Sequence, residues 1–212
     1  MSKLGNNTRK WSEVLCLTLF LFMPFHLSPL SARAHNVDSV LLDAYRHQNM
    51  QVWQTFVNGL EKLPTLNSHM LLYEYGFCGY IADRNPKKAV PYVARFNQHV
   101  ESSQSSLPKG HYELFKSAVY VYEMKLNLSY HPYKAVKLAR EAVQQAPDDP
   151  LTLSYYGTVL FYAPKPIGSK QKALKWFELA EEHFPDSQWK YSWVREMNKM
   201  YIDQCQEKLK SH

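Results

Sequence analysis

The chain has 212 residues, 45% of them hydrophobic and 14% aromatic, enough to fill the core of one domain but not of two large ones. Seven Gly and 12 Pro are too few punctuation residues for an all-β chain, and no long stretch alternates apolar with polar, so the expectation is all-α. The net charge of +6 is not a nucleic-acid footprint: residues 1–34 carry four of the 25 basic and one of the 19 acidic residues, which leaves the remainder near +3.

Residues 1–34 read as a secretory signal peptide. Lys3, Arg9 and Lys10 form a basic start, Val14 to Phe25 form an apolar run of 12, and Ala32-Arg33-Ala34 places small residues where a signal peptidase reads. A membrane span needs about 20 apolar residues, and Pro24 and His26 interrupt this run. Residues 35–212 are then the folded part of an exported, periplasmic or secreted protein. Asn36 to Asp38 offer caps for a first short helix bearing Val40, Leu41, Ala44 and Tyr45. A second carries Met50, Trp53, Phe56, Val57 and Leu60 and stops at Pro64. Helices follow over about Ser68 to Ala82 and Pro86 to Ser103. After the polar connector Ser102 to Gly110 come His111 to Leu128, Tyr133 to Ala146, Leu151 to Tyr162 and Lys170 to Phe184. Asp186 and Ser187 cap a last amphipathic helix containing Trp189, Trp193, Met197, Tyr201 and Cys205.

Two of these stretches repeat one another. Ala135, Ala139, Ala142 and Pro147 recur 38 residues on as Ala173, Phe177, Ala180 and Pro185, each a helix with small residues on one face and a proline just beyond its end. Leu153, Tyr156, Gly157 and Leu160 precede the second copy, and Leu72, Tyr75, Gly76 and Tyr80 precede a looser one at Ala89, Val93 and Phe96. This pattern resembles the tetratricopeptide repeat, whose signature places Gly and aromatics on a first helix and Ala-x3-Phe followed by Pro on a second. The resemblance implies a right-handed α-solenoid of about four antiparallel helix pairs with a C-terminal capping helix, in which Gly157 allows close helix approach. The turn at Tyr162 to Lys170 is longer than the repeat requires, and Pro164, Pro166 and Gly168 give it the composition of an ordered loop.

In such arrays the first helix of each pair lines a concave groove. The resemblance assigns that groove to Tyr73, Phe77, Tyr80, Tyr120, Met124, Ser154, Thr158, Phe161 and Tyr162, an uncharged aromatic surface suited to a protein or peptide partner. The Lys, Arg and Asn of a carboxylate-clamping groove are replaced here by Tyr73, Tyr120 and Ser154. No zinc, phosphate-loop or nucleophile-elbow motif is present, so neither cofactor nor metal is expected, and the chain reads as non-enzymatic. His47, His69, His99, His111, His131 and His183 are expected as separate surface residues, and Cys78 and Cys205 as separate buried thiols. The alternatives are a structural subunit of a cell-envelope assembly, a small-ligand or glycan binder on the aromatic groove, or an enzyme whose site carries no motif.

Overall fold

The computed structural model describes residues 30–47, 49–185 and 192–210. Contacts divide the chain into Met1–Asn36 and Val37–His212, and the second unit holds the core. The described residues are all-α: α1 (Leu30–Arg46), α2 (Met50–Leu60), α3 (Ser68–Arg84), α4 (Pro86–Ser103), α5 (His111–Lys125), α6 (Pro132–Gln145), α7 (Pro150–Tyr162), α8 (Lys170–His183) and α9 (Ser192–Lys210), with a 3₁₀ turn at Gln104–Ser106 after α4. None of these helices is long and apolar enough to cross a membrane.

Local signals in the sequence set most of these limits. Proline opens α4, α6 and α7, where its fixed φ suits a first turn and its missing N–H breaks no helical bond. Side chains of Asn67, Asn85, Asp149 and Ser169 accept the backbone N–H three residues on, from Met70 (3.0 Å), Lys88 (3.2 Å), Thr152 (3.0 Å) and Lys172 (3.1 Å). Two boundaries differ from expectation. Helix α1 begins at Leu30, so Asn36 to Asp38 lie within it and not at its cap, and Ala32-Arg33-Ala34 falls in its first turns. Helix α5 ends at Lys125 because Asn127 takes a left-handed conformation with φ 57°, which no helix continues through. The expected caps Asp186 and Ser187, with Trp189, lie outside the described residues, as do residues 1–29 of the expected signal peptide.

Apolar faces then decide the packing. Ala135, Ala139 and Ala142 on α6 and Ala173, Phe177 and Ala180 on α8 are buried, as their spacing predicts. A Cβ added to Gly157 would lie 2.7 Å from the Phe177 ring, so the glycine is what brings α7 and α8 together. From α2 to α9, helices adjacent in sequence pack on one another. In addition α3 meets α5, α5 meets α7 and α7 meets α9. Four hydrogen-bonded pairs are separated by 38 residues: Gln54 Nε2 to Tyr92 Oη, Arg95 to the Val57 carbonyl, His111 to Asp149, and Ser117 to Tyr155.

Candidate functional site

The side where α3, α5, α7 and α9 converge is aromatic, but its residues are not those expected. Tyr75 lies against Tyr122 (ring centroids 5.8 Å), Tyr155 (5.9 Å) and Trp193 (6.5 Å). Tyr122 Oη donates to the Tyr75 carbonyl at 2.8 Å, and Tyr155 Oη bonds Ser117 Oγ at 2.9 Å. Burial pushes the phenols of Tyr75, Tyr122 and Tyr155 above their ordinary range.

Helix α9 closes this side. Trp193 packs edge-on against Trp53 (5.2 Å) and also meets Tyr45 (6.4 Å), while Arg46 of α1 pairs with Glu196. A Cβ at Gly76 would stand 2.7 Å from Trp53 and 2.8 Å from Trp193, so the bare backbone of α3 is the seat for both rings. Farther along, Tyr201 stacks on Phe177 at 5.2 Å and Asn198 Nδ2 donates to the Phe177 carbonyl at 2.9 Å. A recess of about 570 Å³ remains between α1 and α9, walled by Tyr45, Glu196, Lys199, Asp203 and Glu207.

The nine expected groove residues do not form one open wall. Tyr73, Phe77, Ser154 and Phe161 are buried, Tyr80, Tyr120, Met124 and Thr158 are half-buried, and Tyr162 is 68% exposed. Tyr73 faces back to Phe56 of α2 and Phe77 faces Tyr92 of α4, each edge to face. Tyr120 lies beside His131 and beneath the ammonium groups of Lys116 and Lys134. Two residues along a helix turn a side chain by roughly 200°, so Tyr75 and Tyr122 face the convergent side whereas Tyr73 and Tyr120 face the intervening helices.

Two histidines expected at the surface are buried in polar networks. Glu74, 1% exposed on α3, accepts from His99 Nδ1 (2.8 Å) and Arg95 Nε (3.2 Å). His111 Nε2 donates to Asp149 Oδ2 (3.1 Å), and its Nδ1 is hydrogen-bonded with Ser68 Oγ (2.8 Å). The second set has the members of a nucleophile triad, yet Ser68 is 1% exposed and Asp149 Oδ2 is also engaged by Thr152 N–H. These groups sit at the starts of α3, α5 and α7 and tie those starts together. Cys78 and Cys205 are free, buried thiols, and burial raises both above the ordinary thiol range. Among the described residues no group of three His, Cys, Asp or Glu side chains is placed to hold a metal ion.

Because the starts of α3, α5 and α7 share one edge, the turns after them share the other. That second edge is basic, with exposed Arg84, Lys87 and Lys88 at one turn, Lys125 and Lys134 at the next, and Lys165 and Lys172 at the third. Asp83 pairs with Lys125 and Glu123 accepts from Ser129 Oγ. Leu128, Tyr130 and Tyr133 project from the middle turn, 53%, 81% and 79% exposed. The third turn is pinned: Lys170 Nζ donates to the Phe161 carbonyl (2.7 Å), Lys172 Nζ to that of Pro166 (2.9 Å), and Ile167 N–H to that of Pro164 (3.0 Å). No family model, curated protein or solved structure matches this chain.

Proposed function

We propose that the chain is an exported, non-enzymatic helical-repeat protein similar to tetratricopeptide proteins, a right-handed solenoid of four helix pairs and a capping helix that holds a protein or peptide partner in the cell envelope. The observation that supports this reading most is the recurrence of one separation between hydrogen-bonded residues. Hydrogen bonds joining residues 38 apart occur in both the α2–α4 and the α5–α7 steps, which is how a repeat unit meets its neighbour. Its buried polar groups serve that stacking, and the accessible aromatic surface is what remains for recognition.

With Tyr73 packed on Phe56, Phe77 on Tyr92 and Phe161 on Tyr201, and with Ser154 buried, the accessible part of the expected groove is reduced to Tyr80, Tyr120, Met124, Thr158 and Tyr162. Tyr162 is the most exposed of these and stands beside the pinned turn, so it is the residue on which the test is placed. A photo-crosslinking residue at Tyr162 in exported protein should trap one discrete partner. The same group at Lys175, which is exposed on α8, should trap none. Equal capture from both positions, or capture only of further copies of this chain, rejects a dedicated partner surface; the second outcome supports an assembly subunit instead.

A further inference from the structure

We propose that the basic edge carrying Leu128, Tyr130 and Tyr133 seats the protein against an anionic lipid surface. Three observations converge on it. Tyr130 and Tyr133 are 81% and 79% exposed, and with Leu128 they put three large hydrophobic side chains into solvent within six residues. Rings that bear a hydroxyl suit the headgroup region of a bilayer, where an apolar body is buried and the polar tip stays wet. The cations are spread over three successive turns and not gathered around a pocket. A row of separated charges complements a planar anionic layer better than it complements one acidic side chain.

The opposite edge is mixed in charge. Asp148 and Glu182 are exposed there, but Glu101 pairs with Lys116, Glu181 pairs with Arg195, and Lys109 is exposed just before α5. An anionic surface therefore attracts the lysine-rich edge more strongly than the mixed one, which orients the molecule with its tyrosines inward. The middle turn has the rigidity this requires, since Asn127 holds its left-handed bend and Ser129 Oγ donates to Glu123 at 2.8 Å. The two readings share the third turn, where Tyr162 stands beside Lys165, but this inference concerns a different class of ligand, and its readout is vesicle binding, not capture of a protein.

The test uses the full chain in a Cys16→Ser background, where the remaining thiols, Cys78 and Cys205, are buried. An environment-sensitive fluorophore is placed at Tyr130→Cys or, on the other edge, at Asp148→Cys. Each protein is mixed with vesicles of phosphatidylcholine alone, vesicles containing phosphatidylglycerol, or poly-glutamate. The expected result is a blue shift from position 130 with phosphatidylglycerol vesicles only, reversed by high salt, and none from position 148. Each lysine near the surface contributes a factor of about five, so Lys134→Gln with Lys165→Gln should weaken partitioning by roughly 25-fold. Residues 1–34 are common to both labelled proteins, so a contribution from them falls on both labels and does not by itself produce a difference that salt and the lysine changes abolish. Equal responses from both labels, indifference to the lysine changes, silence with every probe, or a response to poly-glutamate without one to vesicles each overturns the proposal; the last points to an acidic protein instead.

Discussion

Replacing Gly76 by Ala tests whether Trp193 is seated on α3. Two effects oppose each other. In a helix interior Ala is favoured over Gly by about 1 kcal/mol. Against this, the new Cβ would stand 2.7 Å from Trp53 Cζ2 and 2.8 Å from Trp193 Cη2, whereas carbon atoms settle at about 3.5–4.0 Å. Both rings are almost wholly buried, so each must retreat by roughly 1 Å into packed surroundings, and overpacking of that kind costs about 1–3 kcal/mol. The clash wins, and Gly76→Ala should destabilise by about 1 kcal/mol, a fall in Tm of about 2–4 °C for a chain of this size. Gly59 is the control, since nothing lies within 4 Å of its added Cβ, and Gly59→Ala should hold or raise stability by up to about 1 kcal/mol. Thermal unfolding followed by circular dichroism reads both variants, with tryptophan emission reporting the displaced rings. If Gly76→Ala is as stable as Gly59→Ala, Trp193 does not occupy that seat.

Two further outcomes follow from buried polar groups. Glu74→Ala removes the carboxylate shared by His99 and Arg95 and should cost about 3–5 kcal/mol in urea unfolding, because it strands buried donors; a loss under about 1 kcal/mol would show that water already serves them. Tyr122, Tyr155 and Tyr201 have phenols raised by burial. Above the unfolded value of about 10 the folded state therefore binds more protons than the unfolded chain, so stability is full below that pH and falls above it, by up to about 1.4 kcal/mol per pH unit for each phenol. Lys170, lowered by burial and by Lys208, acts in the opposite sense but is a single, partly solvated group. Tyrosinate absorbance should accordingly appear together with loss of helix on alkaline titration; ionisation of all tyrosines at an ordinary pH with helix retained would contradict the packing.

What was legible in the sequence was local. Pro86 reports a helix start through groups within four residues, and the Ala135 and Ala173 stripes report which face is buried; the structure adds Pro132, Pro150, Asn85, Asp149 and Ser169 as start signals of the same local kind, beyond those read from the sequence. Gly157 was readable because its partner Phe177 lies in the same repeat signature. The rotational phase of α3 and α5 was not, since both Tyr73 and Tyr75 are large and aromatic and only the neighbouring helices distinguish the packing face from the convergent one. The partners of His99 and His111 lie 25 to 43 positions away, beyond the reach of any local pattern. Trp193 reads from the sequence as part of the apolar stripe of a cap; its contacts with Trp53 and Tyr45 reach residues about 140 positions away, which no local pattern reports.

The central structural claim is that α9 is part of the folded array and fills the side on which α3, α5 and α7 meet, leaving partners the remaining surface. Native-state hydrogen exchange measures this most directly. Backbone amides from Val194 to Cys205 should be protected to the same extent as those of α7 and α8, and protection there should fall together with theirs as urea is added. Exchange of α9 at the rate of a fraying terminus, with α7 and α8 still protected, would mean that the groove is open and that the account of its occupant is wrong.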